Sequence, residues 1–154
     1  MASCSMNSEA ADTLVIGYGN PLRSDDAAGL HVARAVDGPQ FRVIETYQLT
    51  PELAEDISTY RRVIFVDCDV ELAPGEVRVS TVEPTVHADT HLQTPGDLLR
   101  LARDLYGASP LALLVGIGPA TMELGETLSP AVAEAVGLAA DLIHSGTLPL
   151  HTSS

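Results

Sequence analysis

The chain has 154 residues, 21 acidic against 8 basic side chains, and a formal charge of −13. All eight basic residues are arginine, and there is no lysine or tryptophan. This excludes a P-loop, whose lysine grips phosphate, and Schiff-base chemistry, which needs a lysine amine. A sequence pI near 4.5 argues against nucleic acid and anionic membranes, both of which need a basic face, and leaves uncharged, metallic or basic partners.

Leu14-Val15-Ile16-Gly17 is an apolar run ending in glycine, the pattern of a buried strand. Asp25 to Val36 follows at helical spacing, with Asp25 expected to cap the first turn. Arg42 to Thr46 reads as a second strand. Pro51 to Tyr60 reads as a short helix with Thr50 as its cap. Val63 to Asp67 is nearly all apolar and reads as a central third strand. After the turn Ala73-Pro74-Gly75, Val77 to Val82 alternates as a strand with one wetter face. The connection between these strands is too short for a helical crossover, so the fourth strand should run antiparallel to the third in a hairpin-like arrangement. Thr94 to Tyr106 is a helix capped by Thr94, Leu111 to Gly116 a fifth strand, and Ser129 to Ile143 a last helix capped by Ser129. This order predicts a three-layer α/β/α sandwich around a five-strand, mostly parallel sheet with one antiparallel strand.

The length suits one domain, expected over residues 12–150, with flexible tails at 1–11 and 151–154. The start has no apolar signal-peptide core, and no apolar run reaches the ~20 residues of a membrane span. The two cysteines, Cys4 and Cys68, form no disulfide framework, and a reducing cytoplasm is expected.

Gly17-Tyr18-Gly19-Asn20-Pro21-Leu22 mimics the first half of a dinucleotide fingerprint, and Glu45 stands where a ribose-binding acid would. The reading fails because Leu22 replaces the third glycine. Asp25 and Asp26 would also fill the helix start and repel a pyrophosphate. Adjacent acids there suit a cation or structural capping. Sites in such folds lie beyond the carboxyl ends of the strands, where Asn20, Asp26, Asp67, Asp69 and Gly118 fall. Asp26, Asp67 and His91, from three element ends, could converge as an open ligand set for zinc or nickel. Each alone is also readable as a helix-dipole acid, a turn acid and a loop histidine. His87, His31, His144 and His151 have no such support. Cys68 should face away from Asp67 and is a poor nucleophile, and no G-x-S-x-G elbow occurs.

The run Val15 to Asp26, followed by Gly29, resembles the signature of the nickel-iron hydrogenase maturation endopeptidases, G-x-G-N-x-L-x-x-D-[DE] and then glycine. The resemblance continues at Val66-Asp67-Cys68, at His91 with Gly96-Asp97-Leu98-Leu99, at Gly116-Ile117-Gly118-Pro119 and at Gly125 to Val132. It spans essentially Leu14 to Ile143. It implies the same α/β/α fold and an aspartyl-type endopeptidase that cuts a C-terminal extension from the hydrogenase large-subunit precursor after nickel insertion. It also implies that Asp26, Asp67 and His91 contact the metal and carry catalysis, and that the nickel arrives with the substrate. Many relatives carry glutamate at the position of Asp26, one methylene longer. Gln48-Leu49-Thr50-Pro51-Glu52 resembles members serving cytoplasmic, nicotinamide-linked hydrogenases. A monomer without nucleic-acid or membrane partners is expected. The alternative reading is a non-proteolytic maturation chaperone that binds nickel or the precursor. Two mechanisms stay open: a metal that polarises the scissile carbonyl or activates water, or a carboxylate acting as general base.

Overall fold

The computed structural model describes residues 11–86, 93–146 and 148. His87, His91 and His151, and nearly all of both expected tails, lie outside them. Five strands, β1 (Thr13–Tyr18), β2 (Phe41–Thr46), β3 (Arg62–Cys68), β4 (Val77–Thr81) and β5 (Leu111–Ile117), form one sheet in the order β2-β1-β3-β5-β4. β1 pairs in parallel with β2 and β3, and β3 with β5, whereas β4 is antiparallel to β5. Among the described residues the α-helices are α1 (Ala28–Ala35), α2 (Leu53–Ile57), α3 (Pro95–Tyr106) and α4 (Pro130–Ser145). Among the described residues no helix is long and apolar enough to cross a membrane.

The apolar runs of β1 and β3 are buried on both faces, as a parallel sheet between helices requires. Val15, Ile64 and Val66 pack with Val32 of α1 and with Val132, Ala139 and Ile143 of α4. Leu14, Ile16, Val63 and Phe65 pack on the other side with Ile57 of α2 and with Leu98 and Ala102 of α3. Side chains alternate along a strand, so Tyr18 and Asp67 share the face of α2 and α3, and Cys68 turns toward the other. β1 feeds β2 on one side and β3 lies on its other side. The topological switch point therefore falls at the carboxyl ends of β1 and β3.

The antiparallel strand is present, but the hairpin expected between β3 and β4 is not. β5 lies between them, and the β3–β4 connection crosses over its end. Gly75 and Gly118 bond this crossing, N–H of Gly75 to the Gly118 carbonyl at 2.9 Å and N–H of Gly118 to the Glu76 carbonyl at 2.9 Å. A Cβ on Gly118 would stand 2.0 Å from the Ala73 oxygen. Strand polarity is legible from a short connection; which neighbour a strand pairs with depends on a later segment.

Local signals succeed best at α3. Thr94 Oγ1 accepts from Asp97 N at 3.1 Å and Asp97 Oδ2 from Thr94 N at 3.1 Å, a full capping box, with Pro95 behind the cap. They succeed less at α2, which starts at Leu53 after turn bonds to the Thr50 and Pro51 carbonyls. The Thr50 hydroxyl bonds the Glu52 carboxylate instead of capping, and holds that carboxyl below its usual value.

Gly29 sets how closely α1 approaches the sheet. A Cβ there would lie 2.3 Å from the Val66 oxygen and 2.8 Å from the Tyr18 oxygen, both backbone atoms that cannot rotate away. Gly29→Ala is expected to destabilise the fold by about 3 kcal/mol through overpacking, read as a lowered urea midpoint. An unchanged midpoint would show that α1 can slide away from β1 and β3.

Candidate active site

The loop after β1 folds back over the sheet edge, and a 3-10 turn, Ser24–Ala27, precedes α1. The expected continuous helix from Asp25 is thus split, and neither the turn nor α1 has a side-chain cap. Asp25 is fully buried. Its Oδ2 accepts from Ala120 N at 2.8 Å, Thr121 N at 3.0 Å and Ser129 Oγ at 2.7 Å, and its Oδ1 from Ser129 N at 2.7 Å. Asp25 is therefore not the helix cap expected from its position but the anchor of the β5–α4 loop. Ser129, expected to cap α4, spends its hydroxyl on Asp25 and makes no cap bond. Burial pushes the Asp25 carboxyl up, but these donors outweigh it and hold it below the ordinary 3.8.

The same two loops are joined again beside Asp25. Ser24 N donates to the Gly125 carbonyl and Gly125 N to the Leu22 carbonyl, each at 2.9 Å. Ser24 has a positive φ of 51° and its Oγ donates to the Glu123 carbonyl at 2.7 Å. An unusual backbone for serine is held by that bond.

With Asp25 anchored inward, Asp26 stands half-buried at the edge. Its Oδ2 accepts from Asn20 N at 2.9 Å, and Asn20 Oδ1 accepts from Leu22 N at 2.9 Å, which fixes the turn carrying it. Across the switch point, Asp67 closes β3. Its Oδ1 accepts from Cys68 N at 2.7 Å, and the Tyr18 hydroxyl bonds its carboxylate from β1. Burial raises Asp67 to about 7, the charges of Asp26 and Asp69 add to this, and the Cys68 amide and Tyr18 hydroxyl oppose it. Burial and then the Asp67 charge push the Tyr18 phenol up as well. Tyr18 was missed in the sequence, although its parity on β1 matches that of Asp67 on β3.

Asp69 ends the strand in a turn, its Oδ1 accepting from Glu71 N at 3.0 Å. Its charge is felt at Asp67. Cys68 points the other way, its Sγ 3.6 Å from Met122 Sδ. Burial, reinforced by Asp26 and Asp67, pushes the thiol up to about 12, so it is no nucleophile at neutral pH.

The structure thus brings Asp26 and Asp67 to one edge of the sheet. His91, the third member of the expected set, falls outside the described residues. The chain leaves them at Val86 and re-enters at Gln93, and Thr85 is bonded to Gly96 and Asp97 at the start of α3. α3 covers the sheet face on which Asp67 lies. Among the described residues no three His, Cys, Asp or Glu side chains cluster as a metal cage. Two carboxylates at an open edge can take part of a divalent cation's shell, and a borderline metal there would also call for a nitrogen donor. A cleft of about 520 Å³ lies at the opposite edge, lined by Val82, Leu99, Arg103 and Leu111 among others. It contains neither acid and lies away from the switch point, so it is not the candidate site. His144 Nε2 accepts from Asp37 N at 2.9 Å and His144 packs edge-on against Phe41, a structural role.

Comparison with known proteins identifies this architecture. A family model described as hydrogenase maturation protease matches residues 29–146. No curated protein sequence matches. Among solved structures, the chain is similar to the hydrogenase maturating endopeptidase HybD from E. coli, at 23% identity and a TM-score of 0.71, covering 87% of this chain and 90% of that one. It is similar to the nickel-iron hydrogenase maturation protease HycI from Thermococcus kodakarensis KOD1, at 21% identity and a TM-score of 0.68, covering 94% and 97%. A hydrogenase 2 maturation peptidase from Thaumarchaeota archaeon SCGC_AB-539-E09 is 28% identical, with a TM-score of 0.65, over 87% and 96%. The family model covers most of the chain: the protein belongs to the hydrogenase maturation proteases.

Proposed function

We propose that the protein removes the C-terminal extension of a nickel-iron hydrogenase large-subunit precursor after nickel insertion, acting as a cytoplasmic monomer. The observation that carries this reading is the pair Asp26 and Asp67 at the switch point of a maturation-protease fold. Nickel is cargo of the substrate. Asp26 and Asp67 would recognise it there, with His91 as the third donor. Asn20 N–H already orients one oxygen of Asp26. Asp67, raised to about 7, holds or releases a proton near neutral pH, as a general base on water must. Metal contact favours its charged form and drives the proton off. Tyr18 keeps the carboxylate turned to the edge while this happens.

Chemistry divides between the two acids accordingly. Asp26 docks the metal-bearing end of the substrate. Asp67 accepts the proton of the attacking water, or yields its charge to a metal that polarises the scissile carbonyl. The Cys68 thiol takes no part.

The test is the mass of the large subunit in cells with and without the protein. The expected result is mature-length subunit with wild type and full-length precursor with Asp26→Asn or His91→Ala, at least a hundredfold slower in rate, while circular dichroism of both variants is unchanged. Nickel-free precursor is expected to stay uncut. Normal processing by both variants would remove the site assignment. Equal cutting of nickel-free precursor would remove the role of the metal. Binding without any loss of mass would mean a chaperone.

A further inference from the structure

The edge that carries Asp26 and Asp67 also carries exposed apolar side chains. Leu22, in the loop after β1, is 55% exposed; Tyr47, after β2, 72%; Val70, after β3, 69%; and Leu124, after β5, 84%. These four stand on four different loops, and all four loops follow strands that end at the same edge. In the sheet order, Tyr47 falls on the β2 side of the acid pair and Val70 on the β5 side, while Leu22 and Leu124 stand together, because the Leu22 carbonyl accepts from Gly125 N at 2.9 Å. Three strand spacings separate β2 from β5, about 14 Å. A monomer seldom gathers exposed apolar side chains around one polar centre unless that surface meets another molecule.

The charge of this edge is one-sided. Asp69, Glu71, Glu123 and Glu126 stand on the same loops as the apolar side chains, against the single basic side chain Arg23. A matching partner has apolar recesses and a basic surround. Side chains so exposed are knobs that enter pockets on a folded surface, whereas an extended tail is held in a groove or along a strand edge.

We infer that Leu22, Tyr47, Val70 and Leu124 form a docking rim for the folded body of the substrate protein, a basic-rimmed apolar face adjoining its metal site, and not for the extension that is cut. This rests on the function proposed above and names what that site recognises. The rim supplies affinity and the acids supply chemistry, so the two separate experimentally. Because the rim grips a surface, tail sequence matters little to binding. The acidic surround makes association faster at low salt.

The experiment measures binding and cutting of nickel-loaded large-subunit precursor separately, by calorimetry and by mass. Tyr47→Asp combined with Leu124→Asp is expected to raise Kd and KM at least tenfold with kcat within twofold of wild type. Leu138→Asp, at an exposed apolar side chain of α4 (52%), is expected to change neither. Precursor truncated of its extension should compete for wild type as well as full-length precursor does, and a synthetic peptide of the extension should not. Wild-type affinity in the double variant, or competition by the peptide alone, overturns the inference while leaving the protease reading intact. Binding by wild type without cutting overturns the protease reading while the rim result stands. No binding by wild type overturns both.

Discussion

Asp25→Ala is expected to lower the free energy of unfolding by about 3–5 kcal/mol, a large part of the stability of a domain this size. The carboxylate is fully buried and takes four hydrogen bonds from Ala120, Thr121 and Ser129. Alanine removes the acceptor and leaves three buried amides and a hydroxyl facing one another, each a desolvated group without a partner. Asparagine should recover only part of the loss, because its amide end presents a donor where Ser129 N or the other donors point. The pH dependence separates this from a simple packing defect. The folded carboxyl lies below its ordinary value, so its contribution is present above pH ~4, the range of an unperturbed carboxylate, and disappears as pH falls through the folded value. Urea titrations of wild type and Asp25→Ala should therefore diverge most near pH 7 and converge in acid. A constant difference across pH would mean that the charge of Asp25 is not what the loop is built on.

Asp67→Asn is expected to do the opposite to stability and to abolish processing. Asp67 is raised to about 7 by burial and by its acidic neighbours. The folded state therefore binds more protons than the unfolded state between pH ~4 and 7, and stability falls as pH rises through that window. Above it, the wild type carries a half-buried charge beside Asp26 and Asp69. Asparagine has the same shape, can still accept from Cys68 N and can meet the Tyr18 hydroxyl, without that charge. The variant should match wild type near pH 4 and exceed it by ~1–3 kcal/mol at pH 8, within the limit set by the rise of the Asp67 carboxyl from 3.8 to about 7. Large-subunit processing should be undetectable over the same range. A variant that is less stable at pH 8 would show that the carboxylate is well solvated. One that is more stable and still active would take Asp67 out of the chemistry. The pair of outcomes expected here is the usual mark of a functional group kept at the expense of stability.

Asp25 and Asp67 also show where sequence reading works. Periodicity and turn chemistry are local, so the strands, the capped α3 and the antiparallel sense of β4 were all legible, and Asp26 and Asp67 could be placed at the carboxyl edge of the sheet. Partners that depend on distant chain were not. Asp25 looks like a helix cap because the nearest free amides in sequence are those of its own turn; its actual donors lie 95 to 104 residues away. Ser129 was misread for the same reason. β4 was assigned to β3 by the shortness of their connection, yet β5, which arrives later, takes the place between them. Tyr18 could have been found: it has the parity of Ile16 on β1 as Asp67 has that of Phe65 on β3, and the two strands are adjacent.

The stretch from Gly118 to Ser129 has almost no regular hydrogen-bond ladder, and irregular chain is commonly the first part of a protein to open. Here the amides of Ala120, Thr121 and Ser129 are tied to a carboxylate that water does not reach, and Gly125 is tied to the β1 loop. Opening this stretch requires exposing Asp25, which means disrupting the start of α1 and its seat on the sheet. In hydrogen exchange the amides of Ala120, Thr121, Gly125 and Ser129 are therefore expected to be slower than their place in an exposed loop implies. Part of the floor of the edge that carries Asp26 and Asp67 is thus already ordered before any partner arrives, and little conformational entropy is left to be lost there on association.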